Sequence, residues 1–395
     1  MTTAPVDFLQ QKDYQAVSIT HFFVDVLNSS RSLLVAILAV SIGLSNTQVA
    51  IVLLLYNIGN ALAQPFFGRL ADRFGPRWLV IGGIGWMIFF YSLAAIAPPW
   101  PALVALTIAG LGSGAFHPTG TMVASEASHL HRTQATSIFF MSGQIGLFAG
   151  PVMAGFLLAS FGRPGYLVLP AVAVAGFVGA WKWLVNKPQN QAHPKRVSRE
   201  VPSKQLRPSS FYRRVILLSI IFLCASTVSM AAINFAPKLF TEIGYSPAYV
   251  GILSGLFMLG SAVGGVIGGT LADRWNGPIV ILLAAGASMI PIFLYIPAGG
   301  IARFVLLLAA GFFVGMPHSI LVLMVQGLLP GQRAMASGLA LGFMFFSGSL
   351  GSLAVGLVAD NIGLTSALRL TALLPLITIA ATLLLARTAS NDSQF

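Results

Sequence analysis

The stretch Gly68–Trp78, GRLADRFGPRW, lies between two long apolar runs and recurs later in the chain. Its weaker copy, GTLADRWNGP at Gly269–Pro278, begins 201 positions further on. In both copies an aspartate and an arginine fall between two hydrophobic spans. A shared pattern at matching places in the two halves indicates a duplicated unit.

The composition assigns most of the chain to a membrane. Of its 395 residues, 56% are hydrophobic and 8% are charged, and the mean hydropathy is +0.85, whereas a soluble domain carries about 25% charge. One soluble core cannot hide this much apolar surface, so lipid must be the solvent for much of it. The net charge is +12, but the basic residues recur at the ends of apolar runs. We therefore expect the lipid bilayer, and not nucleic acid, as the partner surface.

A membrane-spanning helix needs about 20 mostly apolar residues, and this rule gives twelve spans. They lie near residues 15–43, 47–69, 77–97, 101–125, 133–160, 164–186, 212–240, 247–271, 277–297, 301–327, 333–359 and 363–387. The sequence thus predicts an all-α membrane protein whose twelve transmembrane helices form two pseudo-symmetric six-helix bundles. We place the bundles at 1–187 and 212–395, joined by a basic cytoplasmic linker at 188–211 that is rich in proline.

The distribution of lysine and arginine predicts the orientation. One face carries Lys12, Arg69, Arg73, Arg77, Arg132, the cluster from Lys187 to Arg214, Arg274, Arg333 and Arg387, whereas the other carries Arg163, Lys238 and Arg303. The positive face is cytoplasmic by the positive-inside rule. An even number of spans then puts both termini inside.

The repeat extends beyond the signature, at the same offset of 201 residues. His117 falls on His318, Arg132 on Arg333, Gly150 on Gly351, Gly155 on Gly356 and Gly162 on Gly363. Two six-span units in the same orientation are typical of one class of transporter. The alternative is chance similarity among glycine-rich helices.

The first span carries a polar stripe that the second half lacks. At about 100° per residue, His21, Asp25 and Asn28 lie within about 60° of one another, and Arg31 lies about 60° further round. Their equivalents in the second half are Phe222, Ser226, Ser229 and Ala232. A charge at mid-membrane is costly, so it needs a partner or a water-filled path.

We interpret this stripe as a proton and substrate site. Asp25 would take the proton, His21 would tune it, and Arg31 and Asn28 would hold the substrate, with Arg31 or His117 as the partner of Asp25. The alternative is a structural ion pair that locks the first span to a neighbour. His117 joins the proton-coupling set because it precedes Pro118, which kinks the fourth span near the depth of Asp25.

Four further residues are candidates for lining a substrate cavity. They are Tyr56, Gln144, His318 and Gln326. Gln144 and Gln326 are single polar residues in apolar helices, with an interhelical hydrogen bond as the alternative. His318 is the repeat partner of His117, and Tyr56 is an aromatic residue that could flank an apolar cavity, with packing or lipid contact as the alternative.

Two sets of residues point to helix movement. The signature loops predict a conformational latch on the cytoplasmic side, formed by Gly68, Asp72, Arg73, Arg77, Asp273 and Arg274, with a purely structural turn as the alternative. The fifth span carries a glycine and proline motif for close helix packing, formed by Gly146, Gly150, Pro151 and Gly155.

No enzymatic chemistry is indicated by the motifs. The sequence has no phosphate-binding loop, no paired-cysteine or HExxH metal set and no nucleophile elbow. We therefore expect a monomeric protein that is not an enzyme, has no cofactor or metal, and draws energy from an ion gradient.

The signature loop and the repeat resemble those of the major facilitator superfamily of transporters. Within it, four features resemble the fosmidomycin-resistance family of bacterial exporters: His21-x-x-x-Asp25, Gln64-Pro65, Phe116-His117-Pro118 and the glycine and proline run in the fifth span. Thr119 follows the FHP motif where that family carries a glutamate. The resemblance implies proton-coupled export of small, often anionic drugs.

We predict an antiporter of the bacterial inner membrane that exports a small, drug-like organic compound by alternating access, in exchange for protons. A symporter or uniporter that imports an organic anion or sugar acid is the alternative. A membrane sensor that uses the fold without transport is the third possibility.

Overall fold

The computed structural model describes residues 7–127, 132–185, 208–328 and 333–393, and in these ranges the chain is helical, with no strand. A short 3₁₀ helix, Asp7–Gln10, precedes fourteen α-helices. They are α1 (Lys12–Ser41), α2 (Asn46–Phe74), α3 (Arg77–Ile96), α4 (Pro99–Glu126), α5 (Arg132–Gly165), α6 (Val168–Leu184), α7 (Pro208–Glu242), α8 (Pro247–Trp275), α9 (Gly277–Leu294), α10 (Gly300–Gly315), α11 (Pro317–Leu328), α12 (Arg333–Ile362), α13 (Leu364–Leu370) and α14 (Leu374–Ser393).

These helices confirm the prediction of twelve spans. Eleven stretches of the described chain are long and apolar enough to cross a membrane, and the shorter α6 supplies the sixth span in order. The tenth span, Gly300–Leu328, joins α10 and α11, and the twelfth, Leu364–Thr388, joins α13 and α14. The protein is therefore a multi-pass, all-α membrane protein.

The chain divides into two compact units. The first takes in Met1–Gln189 together with Pro237–Gly255, and the second takes in Asn190–Ala236 together with Leu256–Phe395. The bundle boundaries expected near residues 187 and 211 fall in or beside the stretch 186–207, which lies outside the described residues. Those boundaries therefore stay predictions.

The backbone repeats at the offset read from the sequence. Three pairs of turn residues 201 positions apart share a positive φ: Gly43 and Gly244 (67° and 89°), Gly75 and Asn276 (84° and 103°), and Gly162 and Gly363 (62° and 85°). Glycine adopts such angles without a steric penalty. Asn276, in the weaker copy of the signature, is the one described residue other than glycine with a positive φ.

Helix packing repeats at the same offset. A Cβ added to Gly110 of α4 would lie 2.7 Å from the carbonyl oxygen of Tyr56 in α2, and one added to Gly311 of α10 would collide with the carbonyl of Phe257 in α8. Both members of the second pair lie 201 positions after those of the first. Glycine thus lets two equivalent helix pairs approach backbone to backbone, one pair in each unit.

Two of the three basic residues on the predicted outer face have a structural role. Arg163 donates to the carbonyl oxygens of Ala94, at 2.7 Å, and Ala97, where the chain leaves α3. The buried Arg303 donates to the carbonyls of Tyr295 and Ile296, where the chain leaves α9. Each guanidinium therefore satisfies carbonyls that a helix end leaves without partners.

Candidate functional site

Three titratable side chains converge inside the first unit. The carboxylate of Asp25 on α1 lies between two imidazoles, with Oδ2 at 3.2 Å from Nε2 of His21 and Oδ1 at 3.4 Å from Nε2 of His117 on α4. Asp25 and His21 are buried, whereas the side chain of His117 keeps 25% of its surface exposed. We call these three residues the proton cluster. His117 is thus the outer member of the cluster.

Backbone carbonyls fix both imidazole rings. Nδ1 of His21 lies 2.8 Å from the carbonyl oxygen of Phe139, and Nδ1 of His117 lies 2.9 Å from that of Ser113. The His21 ring also stacks on the Phe139 ring, with centroids 4.1 Å apart. Both rings are therefore held with Nε2 beside the same carboxylate.

Helix α5 closes the cluster with a residue that has no side chain. A Cβ on Gly143 would lie 2.5 Å from Nε2 of His21 and 2.6 Å from Oδ2 of Asp25. The sequence showed Gly143 as one of several small residues in this helix, without indicating that it covers the carboxylate. Glycine is required here because α5 must lie against the ion pair itself.

A hydrogen-bond chain leads from the cluster to α2. Nδ2 of Asn28 donates to Oδ1 of Asp25 at 2.9 Å and to Oγ of Ser113 at 3.1 Å. The hydroxyl of Tyr56 donates to Oδ1 of Asn28. Asn28 therefore links the proton cluster to one of the residues predicted to bind substrate.

Arg31 lies at the end of this chain and not on Asp25. Its guanidinium carbon sits 3.5 Å from the centroid of the Tyr56 ring, and no carboxylate of the described residues lies within 4.0 Å of it. Arg31 is 8% exposed, and its Nε has no hydrogen-bond partner in the described chain. A buried cation without an acid is costly unless a ring face or a bound anion compensates for it.

Two buried tyrosines that the sequence analysis did not single out surround Arg31. Tyr91 of α3 lies close to Arg31, Tyr56 and Tyr166, and its hydroxyl interacts with the Tyr56 side chain. Tyr166, just after α5, hydrogen-bonds to Ser30 at 2.6 Å. The only sequence signal was a tyrosine inside an apolar span, which packing alone also explains.

The proton cluster also has the spacing of a small-cation site. One nitrogen or oxygen from each of His21, Asp25 and His117 lies within 4.8 Å of the others. Both Nε2 atoms already lie near hydrogen-bonding distance of the carboxylate, so protons satisfy the geometry without an ion. The expectation of no metal and no cofactor stays a prediction.

The other cavity candidates lie apart from this network. Gln144 of α5 is exposed, and Gln326 of α11 is half-buried. His318, the repeat equivalent of His117, is exposed at the start of α11 in the second unit. Thr119, at the position of the family's glutamate, is buried and donates to the carbonyl of Ala115 at 2.7 Å. It needs no partner from the cluster.

The latch residues are described only in part. The side chains of Asp72 and Asp273 lie outside the described residues. Gly68 lies against Pro118, with 4.0 Å from an added Cβ to its ring, and Arg73 and Arg274 are exposed. Arg77 lies over the ring of Trp78, 5.5 Å from its centroid. The latch therefore stays a prediction.

The glycine and proline motif of α5 makes two close contacts within the first unit. Gly146 and Gly150 face α1, where an added Cβ would meet the backbone carbonyls of Phe22 and Val26. On Gly155, a Cβ would lie 2.9 Å from Cα of Gly251 in α8. The motif thus holds α5 against the helix that carries Asp25.

Comparison with known proteins identifies the family. The model of the Major Facilitator Superfamily matches residues 17–301 and 217–395. The fosmidomycin resistance protein of Escherichia coli K12 is 27% identical over 92% of this chain and 90% of its own length. The gentisate transporter of Corynebacterium glutamicum is 28% identical over 78% of this chain and 72% of its own.

The fold comparison agrees with the sequence comparison. A bacterial homologue of the human lysosomal transporter Spinster, in an inward-facing and unoccupied conformation, superposes with a TM-score of 0.76 at 16% identity, and the match covers 99% of each chain. The chain therefore belongs to the major facilitator superfamily, and it is a membrane transporter of small molecules and not an enzyme.

Proposed function

We propose that the protein is a proton-coupled antiporter that exports a small organic compound by alternating access. The observation that carries this proposal is the buried carboxylate of Asp25, held between Nε2 of His21 and Nε2 of His117. Histidine changes its charge near neutral pH, so this arrangement suits repeated loading and release of protons. The low dielectric of the site makes each change in charge consequential for the helices around it.

Substrate and protons would share one hydrogen-bond network. Asn28 contacts both Asp25 and Tyr56, and Arg31 lies on the Tyr56 ring. A substrate that engages Tyr56 or Arg31 changes the partners available to Asn28, and through it the environment of Asp25. Such a shared network gives the two ligands a coupling free energy. Gln144, His318 and Gln326 remain proposed contributors to the substrate path.

Two of the relatives support an acidic compound as the substrate. Fosmidomycin is a phosphonate and gentisate is an aromatic carboxylate, so both relatives are named for anions. Arg31 is suited to such a ligand because its guanidinium has no acidic partner in the described chain. A resistance protein among the relatives favours efflux, whereas import by symport is the alternative that a transport assay separates.

The cellular arrangement follows from the charge pattern. We place the protein in the bacterial inner membrane as a monomer, with both termini in the cytoplasm, because the basic residues cluster on that face. The two GxLADR loops then lie on the cytoplasmic side, where a latch among Gly68, Arg73, Arg77 and Arg274 would stabilise one state of the cycle.

The test is the variant Asp25→Asn in everted membrane vesicles. Fosmidomycin or gentisate is added to vesicles with a preformed pH gradient, and proton movement is followed with a pH-sensitive dye. We expect wild type to release protons when either compound is added and Asp25→Asn to lose at least 90% of that signal, about tenfold. The matched control is Asp13→Asn, near the start of the same helix and outside the cluster, which should keep the signal.

Two results would contradict the proposal. One is an unchanged proton signal in Asp25→Asn, which would exclude this carboxylate from coupling. The other is the absence of a signal from wild type with both compounds. Protons entering together with the compound would establish the importing alternative instead.

A further inference from the structure

The hydrogen-bond directions in the proton cluster specify how many protons it holds. A backbone carbonyl oxygen only accepts hydrogen bonds. Nδ1 of His21 faces the carbonyl of Phe139, and Nδ1 of His117 faces that of Ser113. The carbonyl of Ser113 lies 2.9 Å from Nδ1 of His117, closer than the Ser113 hydroxyl at 3.2 Å. In this arrangement both Nδ1 atoms therefore carry a hydrogen.

The second nitrogen of each ring then determines the count. A neutral imidazole with its hydrogen on Nδ1 presents a lone pair at Nε2. In this geometry that lone pair would lie beside an oxygen of Asp25, at 3.2 Å for His21 and 3.4 Å for His117. Two lone pairs in contact repel each other, so each Nε2···O contact needs a proton of its own.

The remaining partners of the carboxylate leave no substitute for these protons. Asn28 donates to Oδ1 but reaches neither imidazole nitrogen of the cluster. The other titratable or charged groups around the cluster are Arg31 on α1, Tyr56 on α2, Tyr91 on α3 and Tyr166 after α5, and none of them has a hydrogen bond to Asp25. The charged residue that α6 contributes is Lys182, which is exposed at the end of that helix.

We infer that His21, Asp25 and His117 form a two-proton site, with one proton in each imidazole–carboxylate contact. This inference rests on the proposed function and adds its stoichiometry. Loaded, the three side chains carry a net charge of +1, and after losing both protons they carry −1 beside the cation of Arg31. The exchange therefore moves two charges at a buried site.

The two protons leave in a fixed order. The His117 side chain is 25% exposed, whereas that of His21 is 3% exposed and lies between Phe139 and Asp25. Water therefore reaches the His117 contact first. The His21 proton follows through Asp25 once the outer contact is empty.

The first experiment measures the proton-to-drug ratio. Proteoliposomes that contain wild type, His117→Gln or His21→Gln are prepared with known gradients of pH and fosmidomycin. The pair of gradients at which net fosmidomycin flux is zero gives the number of protons exchanged per molecule. We expect two protons per molecule for wild type and one for each variant. The control Asp13→Asn, near the start of α1 and outside the cluster, should keep the ratio of two. A ratio of one in wild type, or two in His117→Gln, would overturn the inference.

A second measurement needs no substitution and no substrate. Wild-type protein labelled with ¹⁵N in its histidines is titrated in nanodiscs and observed by NMR. Two of its six histidines should keep the hydrogen on Nδ1 when they become neutral, while Nε2 loses its proton. Fewer than two neutral rings with the hydrogen on Nδ1 would refute the assigned directions.

The outcomes separate this inference from the proposed function. If Asp25→Asn abolishes drug-driven proton movement but the wild-type ratio is one, only the two-proton assignment fails. If the NMR signature is present but Asp25→Asn still couples normally, the two-proton site exists without driving export, and the proposed function fails.

Discussion

The two units share a packing scheme and differ in what they place inside it. Equivalent glycines let α4 meet α2 and α10 meet α8, and equivalent turns have the same sign of φ. At the positions of the network in the first unit, the second carries smaller or apolar residues: Phe222 for His21, Ser226 for Asp25, Ser229 for Asn28, Ala232 for Arg31, Phe257 for Tyr56 and Ile292 for Tyr91. Duplication thus preserved the backbone contacts, while the charged chemistry is confined to one copy.

The second unit contains a small, partly open and mostly apolar pocket near the same depth of the repeat. Its lining includes Cys224, Val228, Ser288 and Val314, and Val314 occupies the position equivalent to Ser113. An apolar interior does not change its charge during a transport cycle. The difference therefore suggests that the first unit senses protons while the second supplies a matching scaffold, and three substitutions test this division.

The largest effect is expected from Gly143→Ala. The new methyl group would collide with His21 and Asp25, so either the cluster or the contact of α5 with α1 must open. Drug-dependent proton movement in vesicles should fall about tenfold or more, which is roughly 1.4 kcal/mol or more of coupling.

The control for this substitution comes from the second unit. Gly342→Ala lies in α12, the repeat equivalent of α5, and no atom lies within 4 Å of the added Cβ. It should behave as wild type. Equal losses in both variants would mean that replacing a glycine in either helix impairs transport whatever lies beside it, and that the glycine at the cluster is not special.

A smaller effect is expected from Tyr56→Phe. This substitution places phenylalanine at the position where the second unit has Phe257. The ring under Arg31 stays, but Oδ1 of Asn28 loses its donor. A hydrogen bond of this kind contributes about 0.5–1.5 kcal/mol net, so the apparent affinity for the transported compound should fall about three- to tenfold.

Proton release is measured at increasing concentrations of fosmidomycin, and the concentration that gives half-maximal release reports that affinity. Tyr14→Phe, which removes the hydrogen bond of another buried tyrosine to the carbonyl of Ala135, is the control and should leave it unchanged. A Tyr56→Phe protein with wild-type affinity would show that the link through Asn28 does not reach the substrate.

The sequence predicted the fold because its main signals are local. Twelve apolar runs, the signature loops and the constant offset follow from length, hydropathy and charge, and a helix in lipid satisfies its own backbone. It also indicated that His21, Asp25 and Asn28 share one face of α1, because this depends only on helical periodicity.

Contacts between helices were beyond the sequence. Depth along the helices placed His117 and Asp25 at a similar level, but the rotation of α4 about its axis is set by packing. The roles of Gly143 and Tyr91 depend on which helix lies opposite. Arg31 was also expected to form an ion pair with Asp25, but it lies on the Tyr56 ring, and that position depends on how α2 packs. A single sequence contains no signal for such pairings between helices.

The smallest effect tests the repeat at its turns. Asn276 has φ 103° and ψ 131°, whereas its equivalent Gly75 has φ 84° and ψ 155°. A side chain in this region strains the backbone by about 1–3 kcal/mol. We therefore expect Asn276→Gly to stabilise the protein by about 1 kcal/mol, since the added freedom of glycine in the unfolded chain offsets part of the relief. Gly75→Asn should destabilise it by a similar amount or more.

Thermal unfolding in detergent at a fixed scan rate measures both changes as shifts in the apparent midpoint. Asn361→Gly is the matched control, because Asn361 is helical and hydrogen-bonds to the carbonyl of Leu357. Glycine there should lower the midpoint, so a rise confined to Asn276→Gly would trace the gain to the positive φ. If Asn276→Gly also lowers the midpoint, the asparagine is stabilised by contacts that outweigh its strain, and the two turns are equivalent in shape but not in energy.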